Sequence, residues 1–281
     1  MTQLAVCPVC SAKADTAREI HVRASDRLMK CSGCASLFAT PQPSDEQLQE
    51  LYRSEYYSEQ NTRVETDRKD EERVARVLHR TVLLDLLRRF PQLQPQEGQP
   101  AARVLDYGCG PGYFLAECKE AGFECAGVEF SALAASFAEK RFGLRVKTEP
   151  DRALTELPEG RFDVVTAWQV LEHTRNPQAV VSGLVRLLKP GGVFCVAVPS
   201  LACLQYRLQG ANWFNIRNQT HLVFFSRKGL EQLLRSAGLV RLKRPVIWGG
   251  RAELGLAGRM AQYASRVLGL GSELRLYATK P

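Results

Sequence analysis

Residues 103–112 read Arg-Val-Leu-Asp-Tyr-Gly-Cys-Gly-Pro-Gly, and no other stretch constrains the fold as much. A short apolar run, Val104-Leu105, ends in an acid, Asp106, and glycines then occupy alternate positions at Gly108, Gly110 and Gly112. Glycine tolerates left-handed backbone and lets the chain approach a ligand with no Cβ in the way. A second apolar run, Glu124-Cys-Ala-Gly-Val-Glu129, follows and closes on Glu129, where a βαβ unit places its ribose-binding carboxylate. The glycine spacing is not G-x-G-x-x-G, and the loop carries no Lys-Ser or Lys-Thr pair. The pattern therefore favours a small nucleoside cofactor over a dinucleotide or a nucleoside triphosphate.

From Ala101 onward, strand-like and helix-like segments alternate. Strands are expected over 103–107, 124–129, 144–147, 162–167 and 192–198, with helices over 112–121, 131–141 and 177–188. Helix 227–237, a strand near 239–245 and a last strand over 273–278 follow. Repeated βα units predict an α/β fold, a parallel sheet with helices on both faces, and a ligand at the carboxyl ends of the strands. Upstream, Val74, Val77, Leu78, Leu84 and Leu87 recur at helical spacing over 73–90. The polar run from Ser58 to Glu72 reads as a linker. Ser44 and Gln47 read as a helix N-cap and its box partner, for a short helix carrying Leu48, Leu51 and Tyr52.

At the front of the chain, Cys7, Cys10, Cys31 and Cys34 form Cys-x2-Cys-x20-Cys-x2-Cys. Two such turns can present four thiolates tetrahedrally to Zn²⁺. No position is left for water, so the expected role is structural: the metal supplies folding energy to a segment too small to hold itself together. The other five cysteines, Cys109, Cys118, Cys125, Cys195 and Cys203, read as small core residues. No apolar run approaches the ~20 residues of a membrane span. Met1–Cys7 lacks the basic and apolar regions of a signal peptide, and the expectation is a cytoplasmic protein. From Leu204 onward thirteen Lys and Arg face three acids, Glu231, Glu253 and Glu273. Such an excess suits an anionic partner.

Four blocks, in order, resemble those of class I S-adenosylmethionine-dependent methyltransferases. They are Val104–Gly112, Gly127-Val-Glu129, the run Phe162–His173, which ends in Leu-Glu-His, and Leu187-Leu-Lys-Pro-Gly-Gly192. The front end, with its two Cys-x2-Cys pairs, Leu37-Phe38, Pro41, Pro43, Leu51-Tyr52 and Tyr56-Tyr57, is similar to a bacterial subgroup with an N-terminal zinc module. That subgroup is associated with sugar, polysaccharide or natural-product modification. The resemblance implies a Rossmann-like seven-stranded sheet over 101–281, preceded by a zinc-ribbon-like module over 1–43 and a helical linker and cap over 44–100. It also implies S-adenosylmethionine as cofactor.

Under this resemblance the backbone of Gly108, Gly110 and Gly112 cradles the methionine part of the cofactor, and Asp106 orients it near the amino group. Glu129 accepts from both ribose hydroxyls, Phe130 packs on adenine, and Trp168 and Gln169 face the methionine end or the acceptor. Glu172-His173 is similar to a run in ubiquinone-pathway O-methyltransferases that is associated with a divalent metal. Here Gln169 stands where that run has its first acid, so a structural role is expected for Glu172 and His173. His221, in Asn218-Gln-Thr-His221, resembles the same group and is the candidate general base, while Tyr56, Tyr57, Trp213 and Arg217 are candidate pocket walls. The expected acceptor is a small molecule, anionic or carrier-linked, methylated on oxygen or carbon. Two rivals stand beside it. An rRNA or tRNA methyltransferase would suit the basic C-terminal part, but no aromatic-plus-basic single-strand platform is visible. A non-catalytic partner in an assembly would not need Asp106, the glycines and Glu129 together.

Overall fold

The computed structural model describes residues 4–44, 46–48, 50, 65–245, 260, 263–265 and 267–281. Its N-terminal part is an antiparallel ribbon of β1 (Arg18–Val22), β2 (Arg27–Lys30) and β3 (Leu37–Thr40). One cysteine turn precedes it, the other joins β2 to β3, and the two close in the same way. In the first, the Cys7 amide donates to the Ala12 carbonyl at 2.7 Å and the Ser11 amide to the Cys7 carbonyl at 2.9 Å. In the second, Cys31 donates to Ser36 at 2.9 Å and Ala35 to Cys31 at 3.0 Å. Each turn ends on a residue in the left-handed region, Ser11 at φ 60° and Ala35 at φ 61°.

The ribbon does not stand alone. β3 pairs antiparallel with the strand Val223–Phe224, Leu37 opposite Phe224 and Phe38 opposite Val223, which completes a four-stranded sheet. Cys7, Leu28, Leu37 and Phe38 share one buried cluster with Leu171, Val181, Phe224 and Leu230. Ser44 and Gln47 cap each other as expected: the Ser44 amide donates to Oε1 of Gln47 at 2.9 Å, and the Gln47 amide donates to Oγ of Ser44 at 3.2 Å.

Helix α1 spans Glu65–Arg89. Residues 65–72, expected as linker, are therefore helical. This stretch is rich in Glu, Asp, Lys and Arg, good or tolerable helix formers with no apolar periodicity to announce them. The later part of α1 buries Val82, Leu83 and Leu86 with Phe90, Phe114 and Tyr277. It is also tied to α2 (Tyr113–Glu120), where Arg76 and Arg80 each donate through Nε to Glu117 at 2.6 Å.

The second sheet comprises β4 (Arg103–Tyr107), β5 (Glu124–Val128), β6 (Val146–Lys147), β7 (Phe162–Trp168), β8 (Leu188–Pro199), β10 (Val240–Lys243) and β11 (Glu273–Thr279), with Val223–Phe224 as β9. Its order is β10-β11-β8-β7-β4-β5-β6. The five strands β4 to β8 are parallel, and their apolar residues are buried on both faces, as in Val164, Val165, Phe194 and Val196. β11 runs antiparallel to β8, and β10 antiparallel to β11. The expectation of a parallel sheet fails at these two strands, which lie beyond the regular run of β–α–β units that joins β4 to β8.

Helices α3 (Ala132–Phe142), α4 (Pro150–Glu156), α5 (Pro177–Leu187) and α8 (Arg227–Ser236) complete the α/β units. Ser131, Asn176 and Ser226 cap α3, α5 and α8. Two short helices, α6 (Leu204–Gln209) and α7 (Phe214–Arg217), lie between β8 and β9 and have no clear signal in the sequence. β4 and β7 are neighbours, yet the chain leaves β4 toward β5 and leaves β7 toward β8. The carboxyl ends of β4 and β7 are thus the topological switch point, where open α/β sheets bind ligands. Among the described residues, no helix is long and apolar enough to cross a membrane.

Candidate active site

β4 delivers the glycine loop to this switch point. Gly108, Gly110 and Gly112 all have positive φ, at 77°, 51° and 80°. Their surroundings differ. A Cβ on Gly108 would lie 2.3 Å from Cγ2 of Val170, and one on Gly112 would lie 2.6 Å from Cδ1 of Leu144. These two are required by conformation and by packing. A Cβ on Gly110 would meet nothing within 4 Å. Gly110 is therefore the glycine whose bare backbone faces open space.

Beside it, Glu129 braces the loop. Oε2 accepts from the Gly110 amide at 2.7 Å and Oε1 from the Ser131 amide at 2.8 Å. Burial pushes its carboxyl above the ordinary range, and the amide hydrogen bonds oppose that. Each oxygen keeps acceptor capacity for a further donor. Phe130, next in the chain, is 52% exposed at the rim. Asp106 lies deeper, at 1% exposure, and accepts a 2.5 Å hydrogen bond from Oγ1 of Thr166 on β7. Burial pushes its carboxyl up to about 7, and the Thr166 hydroxyl counteracts this in part. Asp106 thus turns into the sheet, toward β7.

Trp168, at the end of β7, packs edge-on against Phe114 with ring centres 5.4 Å apart, and the Arg275 guanidinium lies 5.2 Å from its ring. Its indole nitrogen is buried without a hydrogen-bond partner. Gln169 is left-handed at φ 55° and donates through Nε2 to Oε2 of Glu273 at 3.2 Å. Sequence reasoning missed Arg275 and Glu273. They enter because β11 sits antiparallel beside β8, which sets Arg275 opposite Ala197, itself the partner of Trp168. The basic excess of the C-terminal part was the only signal that could have pointed to Arg275.

A second group gathers below α5. Ligand atoms of Glu172, His173 and His221 lie within 4.8 Å of one another. The His173 and His221 rings meet edge-to-face at 4.6 Å, and Nδ1 of His173 stands 3.2 Å from the Thr220 carbonyl. Glu172 is fully buried, yet neither carboxylate oxygen has a hydrogen-bond partner, and Nδ1 of His221 has none either. Burial lowers both histidines, His173 to about 4, which leaves neutral imidazoles near pH 7. The loop carrying His221 is held from the N-terminal ribbon. Arg23, with its side chain 4% exposed, forms a two-pronged pair with Asp26 and donates to the carbonyls of Asn218 at 2.7 Å and His221 at 3.0 Å.

Of the candidate pocket walls, Trp213 is buried against Tyr206, and Arg217 lies exposed at the end of α7. Tyr56 and Tyr57 lie outside the described residues. Of the core cysteines, Cys109, Cys118, Cys195 and Cys203 are buried and Cys125 is partly so.

The sulfurs of Cys7, Cys10, Cys31 and Cys34 also lie within 4.8 Å of one another. Cys7 and Cys34 are 3.8 Å apart, and Cys10 and Cys31 are 3.5 Å apart. A tetrahedral site with Zn–S bonds of about 2.3 Å has edges of about 3.8 Å. The four thiols therefore fit a closed tetrahedral zinc.

Comparison with known proteins agrees with the fold. The family described as "Methyltransferase domain" matches residues 68–243. A ubiquinone biosynthesis O-methyltransferase of Psychrobacter cryohalolentis is 34% identical over 112 residues, which is 37% of this chain and 43% of that protein. The chain thus spans less than half the length of the curated relatives it matches. A SAM-dependent methyltransferase of Thermotoga maritima superposes with a TM-score of 0.54 at 21% identity, covering 83% of this chain and 100% of the other. The plantazolicin methyltransferase BamL, solved with a substrate analogue and SAH, gives a TM-score of 0.56 at 16% identity, covering 83% and 94%.

Proposed function

The chain belongs to the methyltransferase-domain family, and from that premise we propose that it transfers a methyl group from S-adenosylmethionine to a small-molecule acceptor. One observation carries the reading: at the switch point, the Gly110 backbone faces open space and is held by the Glu129 carboxylate, with Phe130 exposed next in the chain. When bound, S-adenosylmethionine supplies an electrophilic methyl on a sulfonium. The bare backbone of the loop lies along the methionine portion, Glu129 accepts from the ribose hydroxyls, and Phe130 covers the adenine. Asp106 adds negative potential beneath a cationic ligand. The remaining task of the protein is alignment and the exclusion of water.

The acceptor is proposed to be anionic or carrier-linked and to react through oxygen or carbon. The O-methyltransferase relatives favour oxygen. His221, kept neutral by burial, is the candidate to take the hydroxyl proton. A second reading of this residue rests on the orphaned oxygens of Glu172 and the orphaned Nδ1 of His221. With His173 these donors fit a divalent cation, which would supply a fixed positive charge there. At the front of the chain, Cys7, Cys10, Cys31 and Cys34 are proposed to hold a structural zinc.

Calorimetry of S-adenosylmethionine binding to wild type and Glu129→Ala tests the cofactor placement. Losing hydrogen bonds to a charged acceptor costs on the order of 1.5–3 kcal/mol each, so affinity is expected to fall at least about tenfold. Unchanged affinity would move the ribose elsewhere.

A further inference from the structure

We propose that the cavity between α1 and the start of β11 anchors the acceptor, and that it takes a carboxylate or phosphate carried on an apolar body. This rests on the methyl-transfer reading above and names the chemistry of its second substrate. The cavity has a volume of about 210 Å³ and is lined by Leu78, Val82, Ser200, Arg244, Leu274 and Arg275, among others. An apolar cavity of about 150 Å³ holds benzene, so this one has room for a substituted ring or a short chain.

Its charge selects the ligand. Among the described residues, two arginines and one acid line it. The acid, Glu273, is already committed: Oε1 to Nη2 of Arg275 at 2.5 Å, and Oε2 to Nε2 of Gln169 at 3.2 Å. Arg275 lines the cavity with its charge balanced by that carboxylate. Arg244 donates through Nη2 to the Val267 carbonyl at 3.1 Å, and no ion pair engages it among the described residues. Among the described residues the site therefore keeps one uncompensated positive charge, that of Arg244, beside the apolar side chains of Leu78, Val82 and Leu274. A guanidinium's fork suits a carboxylate or phosphate, and a neutral group would leave that charge unpaired.

Its position selects the role. The Trp168 ring lies under the Arg275 guanidinium and meets Phe114 edge-on. Phe114 sits in the first turn of α2, two residues past Gly112. Arg275, Trp168 and Phe114 thus form a continuous line of contacts from the cavity wall to the helix that follows the glycine loop. An acceptor held by its oxyanion at Arg244 and Arg275 directs its far end past Trp168 toward the cofactor. Ser200, immediately after the carboxyl end of β8, lies on the same side.

The test uses the full chain, labelled with ¹⁵N-tryptophan and saturated with S-adenosylhomocysteine, whose binding is measured separately by calorimetry. Benzoate, phenyl phosphate and neutral benzyl alcohol are titrated while the Trp168 indole resonance is followed. The expected result is a saturable shift with at least one anion, none with benzyl alcohol, and affinity weakened at least about tenfold in Arg244→Gln and Arg275→Gln. The tighter anion identifies carboxylate or phosphate. Arg275 is packed on Trp168 and its replacement can disturb folding; the half-buried Arg244 then carries the test alone. No shift with either anion, equal binding of benzyl alcohol, or unchanged affinity in the folded variants overturns the proposal. Failure of S-adenosylhomocysteine to bind overturns the methyl-transfer reading instead.

Discussion

Asp106 is almost wholly out of water, with the Thr166 hydroxyl as its side-chain partner. Its carboxyl is pushed up to about 7 by burial, against an unfolded value of about 3.9. Between these values the folded chain holds a proton that the unfolded chain has released. Stability contributed by this group therefore falls as pH rises from about 4 to about 7. Asp106→Asn keeps an acceptor for Thr166 and removes the titration. Urea unfolding across that range should show wild type losing stability relative to the Asn variant, by on the order of 1–4 kcal/mol by about pH 8. A difference between the two that stays constant with pH would mean that Asp106 titrates as an ordinary carboxylate.

Among the elements, the pairing of β3 with β9 has the widest consequences, because it ties the cysteine turns to the loop that carries His221. Ser226, the cap of α8, reinforces the tie by donating to the Cys34 carbonyl at 2.5 Å and accepting from Gly229 at 2.8 Å. Metal analysis should find about one zinc per chain. Removing it, by chelation or by Cys31→Ser, should raise hydrogen exchange over 7–40 and also over 216–226, since Arg23 and β3 lose their footing together. Exchange that rises only within the first 44 residues would make the module an independent unit. Folded protein that lacks zinc and has freely titratable thiols would dismiss the metal.

For the whole molecule, the formal net charge of +8 and its concentration after Leu204 leave two classes of partner, an anionic small molecule and a nucleic acid. The 210 Å³ cavity favours the first. Binding to rRNA or tRNA fragments should therefore be weak and should not lead to methyl incorporation. Binding that neutralises several phosphates would fall steeply with salt. Tight, salt-sensitive binding accompanied by methylation of RNA would reverse the assignment.

The features legible in the sequence are those whose cause lies within a few residues. Alternate glycines after Asp106 imply left-handed backbone because no other residue takes it cheaply, and all three adopt it. Ser44 with Gln47, Ser131, Asn176 and Ser226 cap helices because the unpaired amides they satisfy are two or three residues away. Two Cys-x2-Cys turns imply four converging thiols because each turn is a local fold repeated. The sequence offers no comparable cause for Glu172 and His173 meeting His221, for Arg275 lying over Trp168, or for Arg23 holding the carbonyls of Asn218 and His221. These neighbours are far apart along the chain, and their meeting depends on strand order, on the reversed direction of β11 and on the register of β3 against β9. Those are properties of how whole elements pack to bury their apolar faces, and many local sequences would satisfy them equally.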